Sequence, residues 1–156
     1  MVRNPNNSEC TMPHDVIRLG QLEIRFLLES SETNRAMAMF EFTVPPAAKV
    51  PMPHYHKAYD ETIYGVEGVM TFTVDGRKVE VGVGDCCFIP RGAVHGFNNL
   101  SQSRAKALAI VTPGLIGPAF FQEVAAVVNR GGPPDIEAMK AILLKHGLVA
   151  VMPQGH

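Results

Sequence analysis

The 156-residue chain has no surplus of charge of either sign: 14 Lys and Arg stand against 15 Asp and Glu, for a formal net charge of -1. Its nearest approach to a basic run is Arg77-Lys78, which reads as a solvated hairpin, so no nucleic-acid partner is expected. No apolar run approaches the ~20 residues needed to cross a bilayer, and the stretch from Met1 to Ser8 is polar with no apolar signal region. The expectation is a cytoplasmic protein with no membrane partner. Three cysteines, two of them adjacent at Cys86-Cys87, do not make a disulfide framework, and no Cys-x-x-Cys pair suggests zinc or redox work. They read as free thiols in a buried strand, where cysteine behaves as a small hydrophobe. Internal repeats and low-complexity stretches are lacking too, and the length suits one domain with one core.

What is present is a succession of short β-compatible runs separated by turn signals, the mark of an all-β sandwich or barrel rather than βαβ units. Leu22, Ile24, Phe26 and Leu28 alternate with Gln21, Glu23 and Arg25, the period of two of a half-buried strand. Residues 30–34 read as a loop, and a second strand over about 36–44 stops at Pro45-Pro46, where proline removes a ladder donor. Asp75-Gly76 separates runs at 69–74 and 77–81 as a hairpin turn. After Pro113-Gly114 the period changes to helical. Pro118 opens a segment with Phe120, Phe121, Val124, Val127 and Val128 on one face, and Asp135 is placed to cap a second helix carrying Ile136, Met139, Ile142 and Leu143 inward. Three parts are expected: an N-terminal arm over 1–15, a barrel over 16–113 and a helical extension over 114–156.

The chemistry-bearing pattern lies in the barrel region. His54-x-His56 places two imidazoles on the same face of an extended segment, where they can share one metal ion. Glu61 follows His56 at an odd offset, so residues 57–60 must form a loop or bulge before a new strand returns a carboxylate to the site. His95 follows the turn Pro90-Arg91-Gly92 on a distant strand. Three neutral imidazoles and one carboxylate suit one divalent transition metal, Fe, Mn, Ni, Zn or Cu, with a position left open for chemistry. Asp60 is the nearest rival carboxylate, and the spacing favours Glu61. Met52 shares strand parity with His54, and Phe97 with His95, so both could line an apolar pocket for substrate, although ordinary core packing explains them equally well. Tyr59, in the loop between the ligands, could reach a substrate, but an exposed loop position is favoured. His14, His146 and His156 have no partner at ligand spacing and are assigned no function.

His54-x-His56-x4-Glu61-x6-Gly68 and Gly84-x5-Pro90-x-Gly92-x2-His95-x3-Asn99 resemble the two motifs of the cupin superfamily. The glycine that usually opens the first motif is replaced by Ala48, which affects a turn and no ligand. The resemblance implies a double-stranded β-helix (jelly-roll) barrel with metal ligands at His54, His56, Glu61 and His95. The two short C-terminal helices resemble the tail of single-domain cupins described loosely as quercetin-dioxygenase-like. A metal-dependent oxygenase, an oxidoreductase acting on a small aromatic or enolic molecule with Glu61 as ligand and base, is the leading expectation. A non-oxidative isomerase or decarboxylase using the metal as a Lewis acid stands second, and a small-molecule binding or sensing module without catalysis third. A homodimer is also expected, because Val16 to Leu28 and Phe120-Phe121 offer more apolar surface than one small barrel needs.

Overall fold

The computed structural model of the chain describes residue 12 and residues 14–48 and 50–152. Most of the N-terminal arm, Cys10 and His156 lie outside the described residues. Strands β1 (Val16–Leu19), β2 (Leu22–Leu28), β3 (Ala38–Val44), β4 (His54–His56), β5 (Asp60–Glu67), β6 (Met70–Val74), β7 (Arg77–Val81), β8 (Cys86–Ile89), β9 (His95–Asn98) and β10 (Ala105–Thr112) precede helices α1 (Pro118–Val128) and α2 (Ile136–Lys145), and β11 (Leu148–Ala150) closes the described chain. They form two antiparallel sheets, β1-β2-β3-β10-β5-β8 and β11-β4-β9-β6-β7. The fold is the jelly roll that the pattern predicts, held as two sheets rather than as one hydrogen-bonded barrel.

Alternation sets which face each strand buries. Leu22, Ile24 and Phe26 on β2 and Phe40 and Phe42 on β3 are at most 5% exposed, and the two strands pair with Ile24 opposite Phe42 and Phe26 opposite Phe40. From the facing sheet Phe72 and Phe97 meet Phe42, with ring centroids 6.4 and 5.2 Å away. This aromatic seam joins the sheets and leads directly to the histidines. The Asp75-Gly76 turn has positive φ at both positions, 47° and 79°, as a type I′ hairpin requires. Gly65 answers a close approach instead: a Cβ there would lie 1.8 Å from the Gly82 carbonyl oxygen.

Helix α1 starts at Pro118 and α2 is capped by Asp135, whose side chain accepts from the Ala138 amide at 3.0 Å. Phe121 of α1 packs edge-on against Phe26 and Phe40, with centroids 5.8 and 5.1 Å away. Of the apolar positions expected to face inward, Val128 and Ile136, each at a helix end, are exposed. Residues 30–34, read as a loop, contain a 3-10 turn (Ser30–Thr33) in which the Glu29 amide donates to Glu32 Oε2 at 2.8 Å. The strand β11 has no counterpart in the sequence reading. It pairs with β4, Leu148 opposite His56 and Ala150 opposite His54, so the C-terminal extension adds a strand directly beside the His54-x-His56 pair.

One expectation changes. On β8, which lies at a sheet edge, Cys87 is buried but Cys86 is exposed, because adjacent strand residues point to opposite faces. The apolar residues that motivated a dimer, Leu22, Ile24, Phe26, Phe120 and Phe121, are buried within the chain itself; exposed large apolar side chains include Tyr64 and Val66 on β5 and Phe88 on β8. Among the described residues no helix is long and apolar enough to cross a membrane.

Candidate metal centre

His54 and His95 are direct cross-strand partners in the β4–β9 pairing, which explains how residues 41 positions apart come to share one face. His56 follows two residues on, on that same face, and the three imidazole centroids lie 4.6 to 5.2 Å apart. One nitrogen from each ring can be chosen so that all three lie within 4.8 Å of one another. Beyond the loop over residues 57–59, β5 restarts and delivers Glu61, whose Oε2 is 3.3 Å from His95 Nε2 and 3.8 Å from His56 Nε2. The rival carboxylate is engaged elsewhere. Asp60 accepts from the Arg91 amide at 2.9 Å and from its guanidinium at 3.1 Å twice over, which ties the start of β5 to the turn before His95.

The ring tautomers follow from the backbone. A carbonyl can only accept, so His54 Nδ1 donates to the Met52 carbonyl at 3.0 Å and His95 Nδ1 donates to that of Ala93 at 2.9 Å. Their Nε2 atoms are then the ones left to face the cluster, and this kind of backbone partner fixes both the tautomer and the ring direction of a metal-binding histidine. The donor set also suits a divalent ion in charge. Burial and the neighbouring His95 push His54 down to about 4. Burial likewise brings His56 down to about 3 against the opposing pull of Glu61. Both rings are therefore neutral at physiological pH, as ligation requires. Burial would raise the Glu61 carboxyl, but its hydrogen bond with His95 and the charges of the three rings outweigh that and hold it low. Burial would lower His95, and the Glu61 carboxylate reverses the shift and raises it. His95 Nε2 and Glu61 Oε2 thus face each other at 3.3 Å within the cluster, where a divalent cation could be held between them.

A pH dependence follows. A ring whose folded pKa is depressed resists the protons that the unfolded chain accepts below about 6.5, so stability falls as pH drops from there towards the folded value. His54 and His56 act in this sense, whereas the raised His95 contributes stability that is already complete below about 6.5 and so does not offset them in this range. Metal-free protein is expected to lose stability between pH 6.5 and 4, on the order of 3 kcal/mol per depressed ring at pH 4. Denaturant melts at half-unit pH steps read this directly, and a flat profile would contradict the depressed pKa values.

The cluster opens onto an apolar cavity. Met52 and Phe97 both line it, together with Phe42 and Phe72 of the seam. Tyr59 does so as well, and here the expectation of an exposed loop fails: Tyr59 is 1% exposed, its ring stacked on His56 at 4.3 Å between centroids. The loop turns inward because an apolar ring face on an imidazole is better placed there than in water. Its hydroxyl is buried without a hydrogen-bond partner, and burial together with the Glu61 charge pushes its pKa up. The sequence reading did not connect the C-terminal extension with this cavity, yet Phe120, Phe121 and Val124 of α1, Met139 and Leu143 of α2 and Leu148 of β11 all line it. Their helical periodicity announced a buried face without saying what it covers. His14 and His146 lie outside the cluster, paired with Glu29 and Glu32 and with Glu123 respectively.

Residues 40–111 match the cupin domain family. The chain is 36% identical over 67 residues to quercetin 2,3-dioxygenase of Bacillus subtilis, covering 43% of this chain and 20% of that protein. It is 28% identical over 93 residues to an oxalate-binding protein of Thermotoga maritima, covering 59% of this chain and 76% of that one. Among solved structures, a polyketide cyclase from Streptomyces resistomycificus superposes with a TM-score of 0.52 at 28% identity, over 64% of this chain and 75% of that one. The chain therefore spans only a fifth of the length of the dioxygenase.

Proposed function

From the match of residues 40–111 to the cupin domain family we propose that the chain is a metal-dependent enzyme, an oxygenase acting on a small aromatic or enolic molecule. In this reading His54, His56, Glu61 and His95 hold one divalent transition metal. The observation that carries it is the convergence of three imidazoles and one carboxylate at the wall of an otherwise apolar cavity. The bound metal would supply Lewis acidity and, if Fe, Mn, Ni or Cu, one-electron chemistry at an open position. The protein's own part is to fix Nε2 of His54 and His95 through the Met52 and Ala93 carbonyls, to keep Glu61 ionised, and to exclude water with Phe42, Phe72, Phe97 and Met52. The barrel over 16–113 and the extension over 114–156 work here as one unit, since both line the cavity.

The likeness to a dioxygenase supports oxidative chemistry. The likeness to a polyketide cyclase keeps the non-oxidative alternative in view, because the same donors serve a Lewis acid equally well. Oxygen uptake separates the two. Protein reconstituted with Fe²⁺, Mn²⁺ or Ni²⁺ is expected to consume O₂ with at least one member of a panel of catechols, flavonols and enolic diketones, and to consume none after chelation. If no metal form consumes O₂ while a keto acid or sugar phosphate is converted under argon, the Lewis-acid reading replaces this one.

A further inference from the structure

We propose that the cavity takes an uncharged, largely apolar molecule with a single oxygen-bearing end, which accepts a hydrogen bond from the Tyr59 hydroxyl while its body lies under α1 and α2. The proposal rests on reading this cavity as the substrate site. Three observations lead to it.

The first is what the lining lacks. Apart from the four clustered donors and Tyr59, every lining side chain is apolar: there is no Lys, Arg, Asn, Gln, Ser or Thr among them. Away from the four donors, a carboxylate or phosphate on the body of the ligand would lose its water with no cationic side chain to replace it. The lysines of α2 are directed elsewhere, Lys140 to Glu137 at 3.0 Å and Lys145 to Glu123 at 2.8 Å.

The second is the Tyr59 hydroxyl, the buried side-chain polar atom left without a partner among the described residues. A buried donor without an acceptor costs more than an ordinary hydrogen bond returns, and native proteins keep few of them. Tyr59 lines the cavity and stacks on His56, so an oxygen acceptor there would satisfy the hydroxyl beside the metal donors.

The third is the cap. Phe121, Val124, Met139 and Leu143 bring an apolar surface from 114–156 to the wall of the cavity that the histidines also line. The cavity measures about 90 Å³, less than the ~150 Å³ that admits benzene in an engineered core. A single ring therefore enters as flexible lining side chains such as Met139 give way.

The test uses matched probes on metal-free protein at pH 7, where 4-methylphenol is neutral and 4-methylbenzoate is an anion. Calorimetry or ligand-observed NMR is expected to show 4-methylphenol binding at least tenfold more tightly than 4-methylbenzoate. Tyr59→Phe should weaken 4-methylphenol about five- to tenfold and leave toluene unchanged. Met139→Trp should fill the cavity and weaken both neutral probes at least tenfold while zinc titration is unaltered. Equal or tighter binding of the benzoate, no binding of the phenol, or equal loss of phenol and toluene in Tyr59→Phe would each overturn the proposal. Should Met139→Trp not fold, the probe pair and Tyr59→Phe decide alone. Zinc titration of the parent protein reports on the metal reading separately, so failure of one is not mistaken for failure of the other.

Discussion

His56→Ala and His95→Ala are each expected to lower zinc affinity more than 100-fold while the β-rich far-ultraviolet spectrum is retained. Partners that merely orient a ligand are worth ~10–100-fold in metal affinity, and these substitutions remove a donor outright. His95 is the more consequential of the two. It pairs across strands with His54 and is 3.3 Å from Glu61, so its loss leaves a buried carboxylate without its hydrogen-bond donor and lets burial push that carboxyl upward. The variant should then lose affinity and also gain a titration that the parent lacks. His14→Ala is the control, since His14 contacts Glu29 and Glu32 outside the cluster. Competition with a chromophoric chelator measures all three, and retention of parental affinity by both cluster variants would show that the metal site lies elsewhere.

His54, His56 and Glu61 were legible as neighbours because their placement follows local rules, whereas His95, 41 positions from His54, was joined to them by the resemblance to the cupin motifs. The period of two put His54 and His56 on one face, and the odd offset to Glu61 required the break that separates β4 from β5. The Asp75-Gly76 hairpin, the Asp135 cap and the Pro118 start are likewise fixed by residues within a few positions. What escaped depends on residues distant in the chain. Tyr59 is polar enough for a loop tip, and only the position of the His56 ring, against which it stacks, turns it inward. β11 is three residues long, too short for a periodic signal, and forms because β4 presents a free edge to it. The helices advertised an apolar stripe, but their sequence could not say whether it met another subunit or the chain's own cavity. In the structure Phe120, Phe121 and Val124 are spent on the cavity and core, which removes the surplus on which a dimer was argued. The spacing favoured Glu61 over Asp60, and the partner that engages Asp60, Arg91, lies 31 residues along the chain.

Glu61→Gln is expected to reduce turnover by about 10²- to 10³-fold at saturating metal, with substrate affinity changed far less, a loss of ~3–4 kcal/mol in transition-state stabilisation. The substitution keeps the shape of a side chain whose Oε2 faces both His56 and His95 and removes only its charge and its capacity as a base. The direction of its pKa constrains which of these matters. A general base for a substrate hydroxyl works best with a pKa near the operating pH, whereas the hydrogen bond from His95 and the charges of the surrounding rings hold Glu61 low in spite of its burial. A carboxylate so held is a steady anionic donor, and it should impose no fall in activity between pH 8 and 5 from its own protonation. A base role would require its pKa to climb during turnover above the value that its neighbours set in the metal-free chain. Glu61→Asp distinguishes the two: a shortened carboxylate that restores metal affinity but not turnover supports proton transfer from a set position, while parallel recovery of both supports charge alone. Turnover in Glu61→Gln within threefold of the parent, measured by oxygen uptake with metal content matched, would remove Glu61 from the reaction altogether.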